Sequence, residues 1–110
     1  MSDQITIPAL LAEYIKIQNA QDSAAFAELF TADARVHDEG KDYTGKAAIK
    51  EWIEDANEKY QTTVEAVACA VNGAETVLTL KMSGTFPGSP LNADFHFEIS
   101  DNKISHLYVT

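Results

Sequence analysis

The chain has 110 residues, of which 45% are hydrophobic, and this composition is typical of one small globular domain spanning residues 1–110. Seventeen acidic residues against eight basic ones give a net charge of −9, which repels phosphate backbones and anionic lipids. We therefore expect no nucleic-acid partner and no membrane partner. The N-terminal stretch lacks a signal-peptide pattern and no segment approaches the ~20 apolar residues of a membrane span, so we expect a cytoplasmic protein.

Two amphipathic helices open the chain, and a third follows a short strand. Pro8 suits a first helical turn, and the first helix should stop around residues 19–21. Asp22 is a good N-cap for the second helix, and the third is predicted to begin after Gly45. The three apolar stripes consist of Leu10, Leu11, Tyr14, Ile15 and Gln18; of Ala25, Phe26, Leu29 and Phe30; and of Ile49, Trp52, Ile53, Ala56 and Tyr60.

The second half of the chain is predicted to form an antiparallel meander. Asn72-Gly73 is a strong hairpin signal, and the two prolines and two glycines of residues 84–90 indicate a loop. Helices first and strands afterwards predict an α+β domain, in which the helices cover one apolar face of a twisted sheet. The predicted strands span residues 63–71, 76–86, 91–99 and 104–109.

The short strand before the third helix ends in a carboxylate that strand alternation turns inward. Ala34 and Val36 share a face, and Asp38 joins them if the strand runs far enough, whereas Arg35 and His37 take the opposite face. Asp38 is then either an acid group that looks into the interior of the fold or a plain turn residue near the following glycine.

Alternation also predicts an apolar outer face on the sheet. An exposed face of this kind would favour a homodimer that pairs two copies through their sheets. Cys69 is the only cysteine, and a small hydrophobic packing role suits its apolar surroundings better than a reactive thiol does. The residues assigned to this outer face are Val67, Cys69, Val71, Val77 and Thr79.

The segment from Glu13 to Ile53, "EYIKIQNAQDSAAFAELFTADARVHDEG…YTGKAAIKEWI", resembles the nuclear transport factor 2 (NTF2) superfamily, in its SnoaL-like and ketosteroid-isomerase-like branch. The shared features are a helix ending in N-A-x-D, the pattern L-F-x-x-D-A-x-V, a polar turn, and G-x-x-A-I-x-x-W. The strand-rich ending "FEISDNKISHLYV" has the order of this superfamily as well. The resemblance implies a cone-shaped, cystatin-like α+β fold, with three helices packed on the concave side of a strongly curved, mostly antiparallel sheet.

The same resemblance implies a pocket for a small apolar molecule and a set of catalytic residues. In the ketosteroid-isomerase-like branch, an aspartate that ends the strand after D-A-x-V is a general base, and the matching residue is Asp38. A tyrosine of the first helix donates a hydrogen bond to the substrate oxygen, and the matching residue is Tyr14. The alternatives are a solvated turn aspartate and an ordinary core tyrosine.

Aromatic and aliphatic side chains would form the wall of such a pocket. The same side chains would fill a solid core if the cone were collapsed, and the sequence leaves both possibilities open. The predicted substrate-binding residues are Phe30, Tyr43, Trp52, Leu80, Met82, Phe86, Phe95 and Phe97.

One position departs from the isomerase pattern. Ketosteroid isomerase places a protonated aspartate beside its tyrosine, and the corresponding residue is Phe95, with Asp94 turned to the other face. Two hypotheses follow. The first is an isomerase or cyclase that moves a proton next to the carbonyl of a polyketide, terpenoid or steroid-like ring. The second is a non-catalytic ligand-binding or dimerisation module. We expect no cofactor and no metal, because the three histidines lack a metal-binding spacing.

Overall fold

The computed structural model describes residues 7–38 and 40–110, which form three helices and six strands in one α+β fold. Residues 1–6, on which part of the signal-peptide expectation rests, lie outside this range. Within the described ranges, no helix is long and apolar enough to cross a bilayer. The elements are α1 (Ala9–Asn19), α2 (Ser23–Glu28), β1 (Phe30–Asp38), β2 (Lys41–Thr44), α3 (Lys46–Tyr60), β3 (Thr63–Asn72), β4 (Glu75–Ser83), β5 (Leu91–Ser100) and β6 (Lys103–Val109).

The six strands form one sheet in the order β2-β1-β6-β5-β4-β3, with β1 and β6 parallel and the other neighbouring pairs antiparallel. The inner face carries the core, which consists of alternate residues of β4 and β5 and of the buried residues of β1 and β6. The core packs against apolar residues of the helices, as the amphipathic patterns predicted. Its fully buried large side chains include Leu11, Phe26, Phe30, Ile49, Leu78, Leu80, Phe97, Ile104 and Leu107.

Two element boundaries differ from the sequence prediction. The second helix ends at Glu28, so Phe30 begins β1 instead of ending the helical stripe. The backbone N–H of Ile104 donates to the carbonyl of Leu29 (2.8 Å), which ties this junction to β6. β4 ends at Ser83, and Phe86 belongs to the following loop. The short β2 was not predicted as a strand, because four residues are too few for a periodic pattern.

A β-bulge in β3 corrects the predicted outer face. The pairing of β3 with β4 shifts between Ala66 and Ala68, and one extra residue reverses the alternation that follows it. Cys69 therefore stands opposite Leu78, whose side chain is fully buried, and it packs against the core. Val71 likewise pairs with a buried residue of β4, so both side chains follow the inner face.

The C-terminal end of α1 is held in place by side-chain amides. Asn19 clamps β3, since its Nδ2 donates to the carbonyl of Val64 (3.0 Å) and its Oδ1 accepts from the N–H of the same residue (2.7 Å). Gln18 and Gln21 both donate to the carbonyl oxygen of Thr62, at 3.1 and 2.8 Å. These bonds set the position of α1 over the sheet, and with it the position of the side chains that α1 directs inward.

Candidate functional site

A cavity of about 830 Å³ lies between the inner face of the sheet and helices α1 and α3. Small-molecule sites typically have volumes of roughly 300–1,000 Å³, so the cavity has the size of a ligand site. Lys41, Asp55 and Lys59 stand exposed on its lining. Most of the wall is apolar and includes Trp52, Ile53, Ala56, Val64, Met82, Phe86, Pro87, Leu91, Ala93, Phe95 and Val109.

Tyr14 faces this cavity from the middle of α1. Its side chain is only 2% exposed, and its ring packs against Phe26 and Phe97, each with ring centroids 5.1 Å away. No described residue makes a hydrogen bond with its hydroxyl group. Burial, and secondly the negative charge of Asp38, raise the pKa of the Tyr14 phenol well above its usual range. The phenol therefore stays protonated and can act as a hydrogen-bond donor into the cavity.

Asp38 lies at the end of β1 and lines the same cavity. β1 runs far enough for strand alternation to turn Asp38 to the side of Ala34 and Val36, which are both fully buried. The neighbouring strand β2 sets Tyr43 opposite Val36 and Lys41 opposite Asp38, and both partners also line the cavity. A carboxylate and a buried phenol thus share one apolar cavity, close enough for the charge of one to affect the other.

Phe95 is the residue that the resemblance set in place of the isomerase's second polar group. It stands on the inner face of β5, opposite Leu78 and Val109, and it lines the cavity. Its ring lies edge-on to that of Tyr14, with centroids 6.5 Å apart. The neighbouring Asp94 stands opposite Thr79 on the other face and accepts a hydrogen bond from its hydroxyl (2.7 Å). Among the described residues, Tyr14 therefore lacks an acidic side chain of β5 beside it.

The structure divides the predicted wall residues into two groups. Tyr43, Trp52, Met82, Phe86 and Phe95 line the cavity. The other three lie in the closed core behind the wall, where their exposure is 0%. Strand alternation predicts the face on which a side chain lies but not its depth along the cone, which explains the difference. The three core residues are Phe30, Leu80 and Phe97.

Gln18 is a wall residue that the sequence interpretation included only as part of a helical stripe. It follows Tyr14 by one helical turn, is 4% exposed and lines the cavity. Its amide on an apolar helix face could have indicated this position, because a buried amide needs hydrogen-bond partners. Lys41 and Lys59 were missed too, since flexible lysines on exposed surfaces carry no recognisable pattern.

The histidines and Arg35 belong to the opposite, outer face of the sheet. Arg35 stands opposite His106, and His37 stands opposite Tyr108. The ring nitrogens of the histidines contact carboxylates there, namely His37 with Asp42 (2.7 Å), His96 with Glu75 (3.4 Å) and His106 with Glu98 (3.3 Å). In residues 7–38 and 40–110, no group of three or more His, Cys, Asp or Glu side chains is arranged to hold a metal ion.

Comparison with known proteins gives a consistent result. The model of the SnoaL-like domain matches residues 11–107. A crystal structure of a candidate polyketide cyclase from Sinorhizobium meliloti is 32% identical, with a TM-score of 0.91 over 94% of this chain and 95% of that chain. SalBIII, an epoxide hydrolase/cyclase-like enzyme with a role in pyran ring formation in the polyether salinomycin, is 27% identical, with a TM-score of 0.79 over 91% and 85%. No curated protein matches the chain.

A more distant structure supports the architecture alone. A protein with a ketosteroid isomerase-like fold from Catenulispora acidiphila, solved in complex with trimethylamine, is 17% identical, with a TM-score of 0.85 over 96% of this chain and 86% of that chain. The family match, the long alignment at 32% identity and the helix and strand order agree with one another. The chain therefore belongs to the SnoaL-like domain family.

Proposed function

We propose that the protein binds an apolar ring ketone in its cavity and moves a proton at the carbon next to the carbonyl group. Asp38 is the general base and Tyr14 is the donor to the ketone oxygen. The observation that carries this proposal is a buried phenol without a hydrogen-bond partner among the described residues, in the same cavity as a carboxylate. The polyketide cyclase name of one relative supports a carbonyl compound as the substrate.

The proposed step uses only these two side chains. The Asp38 carboxylate takes the proton from the α-carbon, and the electrons of the broken C–H bond form the C=C bond of an enolate. The ketone oxygen gains the negative charge, which the hydrogen bond from Tyr14 stabilises in surroundings of low polarity. The protonated Asp38 can swap this proton with solvent, and delivery of the solvent-derived proton to the same carbon gives exchange. Delivery of a proton to a more distant carbon of an unsaturated ketone gives isomerisation.

A non-catalytic ligand-binding module is the second candidate function. Phe95 favours it, because this apolar side chain removes the second hydrogen-bond donor that an isomerase of this branch uses. In this case the cavity binds the ring compound and Asp38 has no role in chemistry. Both functions predict that the ring ketone binds, and only the first predicts turnover, so one experiment can distinguish them.

The test is proton exchange on 1-tetralone in deuterated water, followed by loss of the α-proton signal in NMR spectra. The wild-type protein should catalyse exchange, and Asp38→Asn should lower the rate by about a hundredfold or more because the base is lost. Asp33→Asn is the matched control, since Asp33 is an exposed carboxylate of the same strand. Binding of 1-tetralone without exchange in any variant would support the non-catalytic module instead. Failure of the ketone to bind would contradict both functions.

A cytoplasmic location and a homodimer formed through the sheet remain predictions of the sequence.

A further inference from the structure

We propose that Gln18 is a specificity-determining residue that accepts a hydrogen bond from a hydroxyl group of the ligand, so that the preferred ligand is a hydroxylated ring ketone. This inference rests on the proposed binding site and names its substrate class more closely. It does not require that the bound ketone be turned over.

The orientation of the Gln18 side-chain amide is fixed by its two hydrogen bonds. Its Nε2 donates to Oδ1 of Asn57 (3.2 Å) and to the carbonyl oxygen of Thr62 (3.1 Å). The reversed orientation would place Oε1 against a backbone carbonyl, which cannot donate. Both protons of Nε2 are thus used by the protein, and Oε1 is the atom that remains.

The Oε1 atom is an acceptor without a partner in the described part of the chain. No hydrogen bond to it is present there. Among the described side chains, every fully enclosed nitrogen or oxygen atom has a partner, so Oε1 retains a little accessible surface. Gln18 as a whole is 4% exposed and lines the large cavity, so that this surface faces the cavity interior.

An acceptor in this position changes what the cavity prefers to bind. A ligand that fills the cavity with only carbon at this point removes Oε1 from water and leaves it unpaired, which weakens binding by about tenfold or more. A ligand hydroxyl at the same point restores the bond. Tyr14 and Gln18 are one turn apart on α1, where Cβ atoms lie roughly 5–6 Å from each other. The donor and the acceptor therefore match a ring compound that carries a carbonyl and a hydroxyl group on one edge, separated by a few ring positions.

Matched pairs of ligands test this inference directly. The probes are 5-, 6- and 7-hydroxy-1-tetralone and the corresponding methyl ethers, with affinities measured by calorimetry. We expect at least one hydroxy compound to bind to the wild-type protein about tenfold more tightly than its ether. In Gln18→Met, which keeps the length of the side chain, this preference should fall to less than twofold. A merely structural role of Gln18 would weaken both members of each pair equally.

Asn57→Ala is the control for the hydrogen bonds behind the amide. Asn57 does not line the large cavity, and Thr62 still holds Gln18 in this variant, so the preference for the hydroxy compound should persist. Should Gln18→Met fail to fold, the side-chain carbonyl resonance of Gln18 in the wild-type protein replaces it. This resonance should shift with the hydroxy compound and not with its ether.

Three outcomes would overturn the inference: equal affinities within every pair, a preference that survives in Gln18→Met, or no binding of any tetralone. Failure of the proposed catalysis looks different, because it leaves the preference intact while α-proton exchange on 1-tetralone is absent. Conversely, α-proton exchange without any preference for the hydroxy compounds over their ethers overturns the role of Gln18 and leaves the roles of Asp38 and Tyr14 in place.

Discussion

Tyr14 is a buried phenol whose hydroxyl group is not used by the described part of the fold. Buried tyrosines in protein cores usually donate to a carbonyl oxygen, and losing that bond costs stability. Here the ring is held by aromatic neighbours, and the residue lines the cavity. The ring therefore contributes packing, and the hydroxyl group is available to a ligand. In most buried tyrosines the ring and the hydroxyl group both stabilise the fold.

The burial of Tyr14 predicts how stability changes with pH. Burial raises the pKa of Tyr14 above the ordinary value of 10.0, so above about pH 10 the unfolded chain loses this proton while the folded protein keeps it. The contribution of the protonated Tyr14 to the free energy of unfolding is complete below pH 10. It declines as the pH rises further, by up to about 1.4 kcal/mol per pH unit. Urea unfolding at pH 9 and pH 11 should show a steeper loss for the wild-type protein than for Tyr14→Phe.

At pH 7 the same variant should be as stable as the wild-type protein, to within about 0.5 kcal/mol, because no partner loses a hydrogen bond. Parallel stability curves for the two proteins between pH 9 and pH 11 would contradict the buried, protonated state of Tyr14.

Single residues also show what sequence alone can and cannot predict about the site. Strand alternation predicted the inward direction of Asp38 because the pairing of β1 is regular from Arg35 to its end. The role that we propose for Gln18 could not be predicted, since it depends on which of its amide atoms bonds to the carbonyl of Thr62. That carbonyl is 44 residues away in the chain, and no local pattern brings the two together.

At the scale of elements, the loop of residues 84–90 closes one side of the cavity by resting on the end of α3. The N–H of Thr85 donates to the carbonyl of Tyr60 (2.7 Å), and the rings of Tyr60 and Phe86 meet edge to face with centroids 6.0 Å apart. Phe86 and Pro87 then complete the cavity wall. This docking requires a glycine at position 84, because a Cβ there would lie 2.5 Å from the carbonyl oxygen of Tyr60.

Gly84→Ala should therefore push the loop away from α3. We expect a loss of about 1–3 kcal/mol in the free energy of unfolding, as for other overpacked sites, together with weaker binding of 1-tetralone. Gly88→Ala is the control in the same loop. Its Cβ meets nothing closer than 3.9 Å, although its φ of +87° still disfavours alanine. Denaturant unfolding measures the loss in both variants. The docking would be contradicted if both lost the same free energy of unfolding and Gly84→Ala kept its affinity for 1-tetralone.

The bulge in β3 marks the limit of element prediction. The strand itself was predicted from its β-branched and small residues, and its alternation is correct up to Ala66. Beyond that point one inserted residue moves Cys69 and Val71 to the inner face. Nothing in a run of valines and alanines indicates where a bulge falls, because the local preferences of the residues on both sides are the same.

At the scale of the whole molecule, the fold was predictable because separate sequence signals along most of the chain agree with one another. Amphipathic helices, alternating strands and the NTF2-like motifs all favour one architecture, and the order of elements agrees with it. The open volume of the cavity was not predictable, since the same apolar residues could have met in a solid core. Its size depends on the spacing between α1, α3 and the sheet, which no single segment determines.

The outer face of the sheet is more polar than the sequence suggested, because Cys69 and Val71 leave it. It still presents Val77 and Tyr108, the latter 40% exposed, next to the histidine and carboxylate pairs.

We keep the homodimer as a prediction and expect a species of about twice 12.0 kDa in sedimentation at micromolar concentration. Tyr108→Glu should shift that species toward the monomer if this face forms the contact. A wild-type protein that sediments as a lone monomer would contradict the dimer.

The central claim is that a ketone oxygen binds at the Tyr14 hydroxyl group, inside the cavity and beside Asp38. NMR spectra of protein labelled with ¹³C at the tyrosine Cζ positions test it most directly, with Tyr14→Phe used to assign the resonance. We predict that saturating 1-tetralone shifts the Tyr14 resonance, and that this resonance shows no ionisation up to pH 10. A Tyr14 resonance that stays unchanged while 1-tetralone binds would contradict the claim.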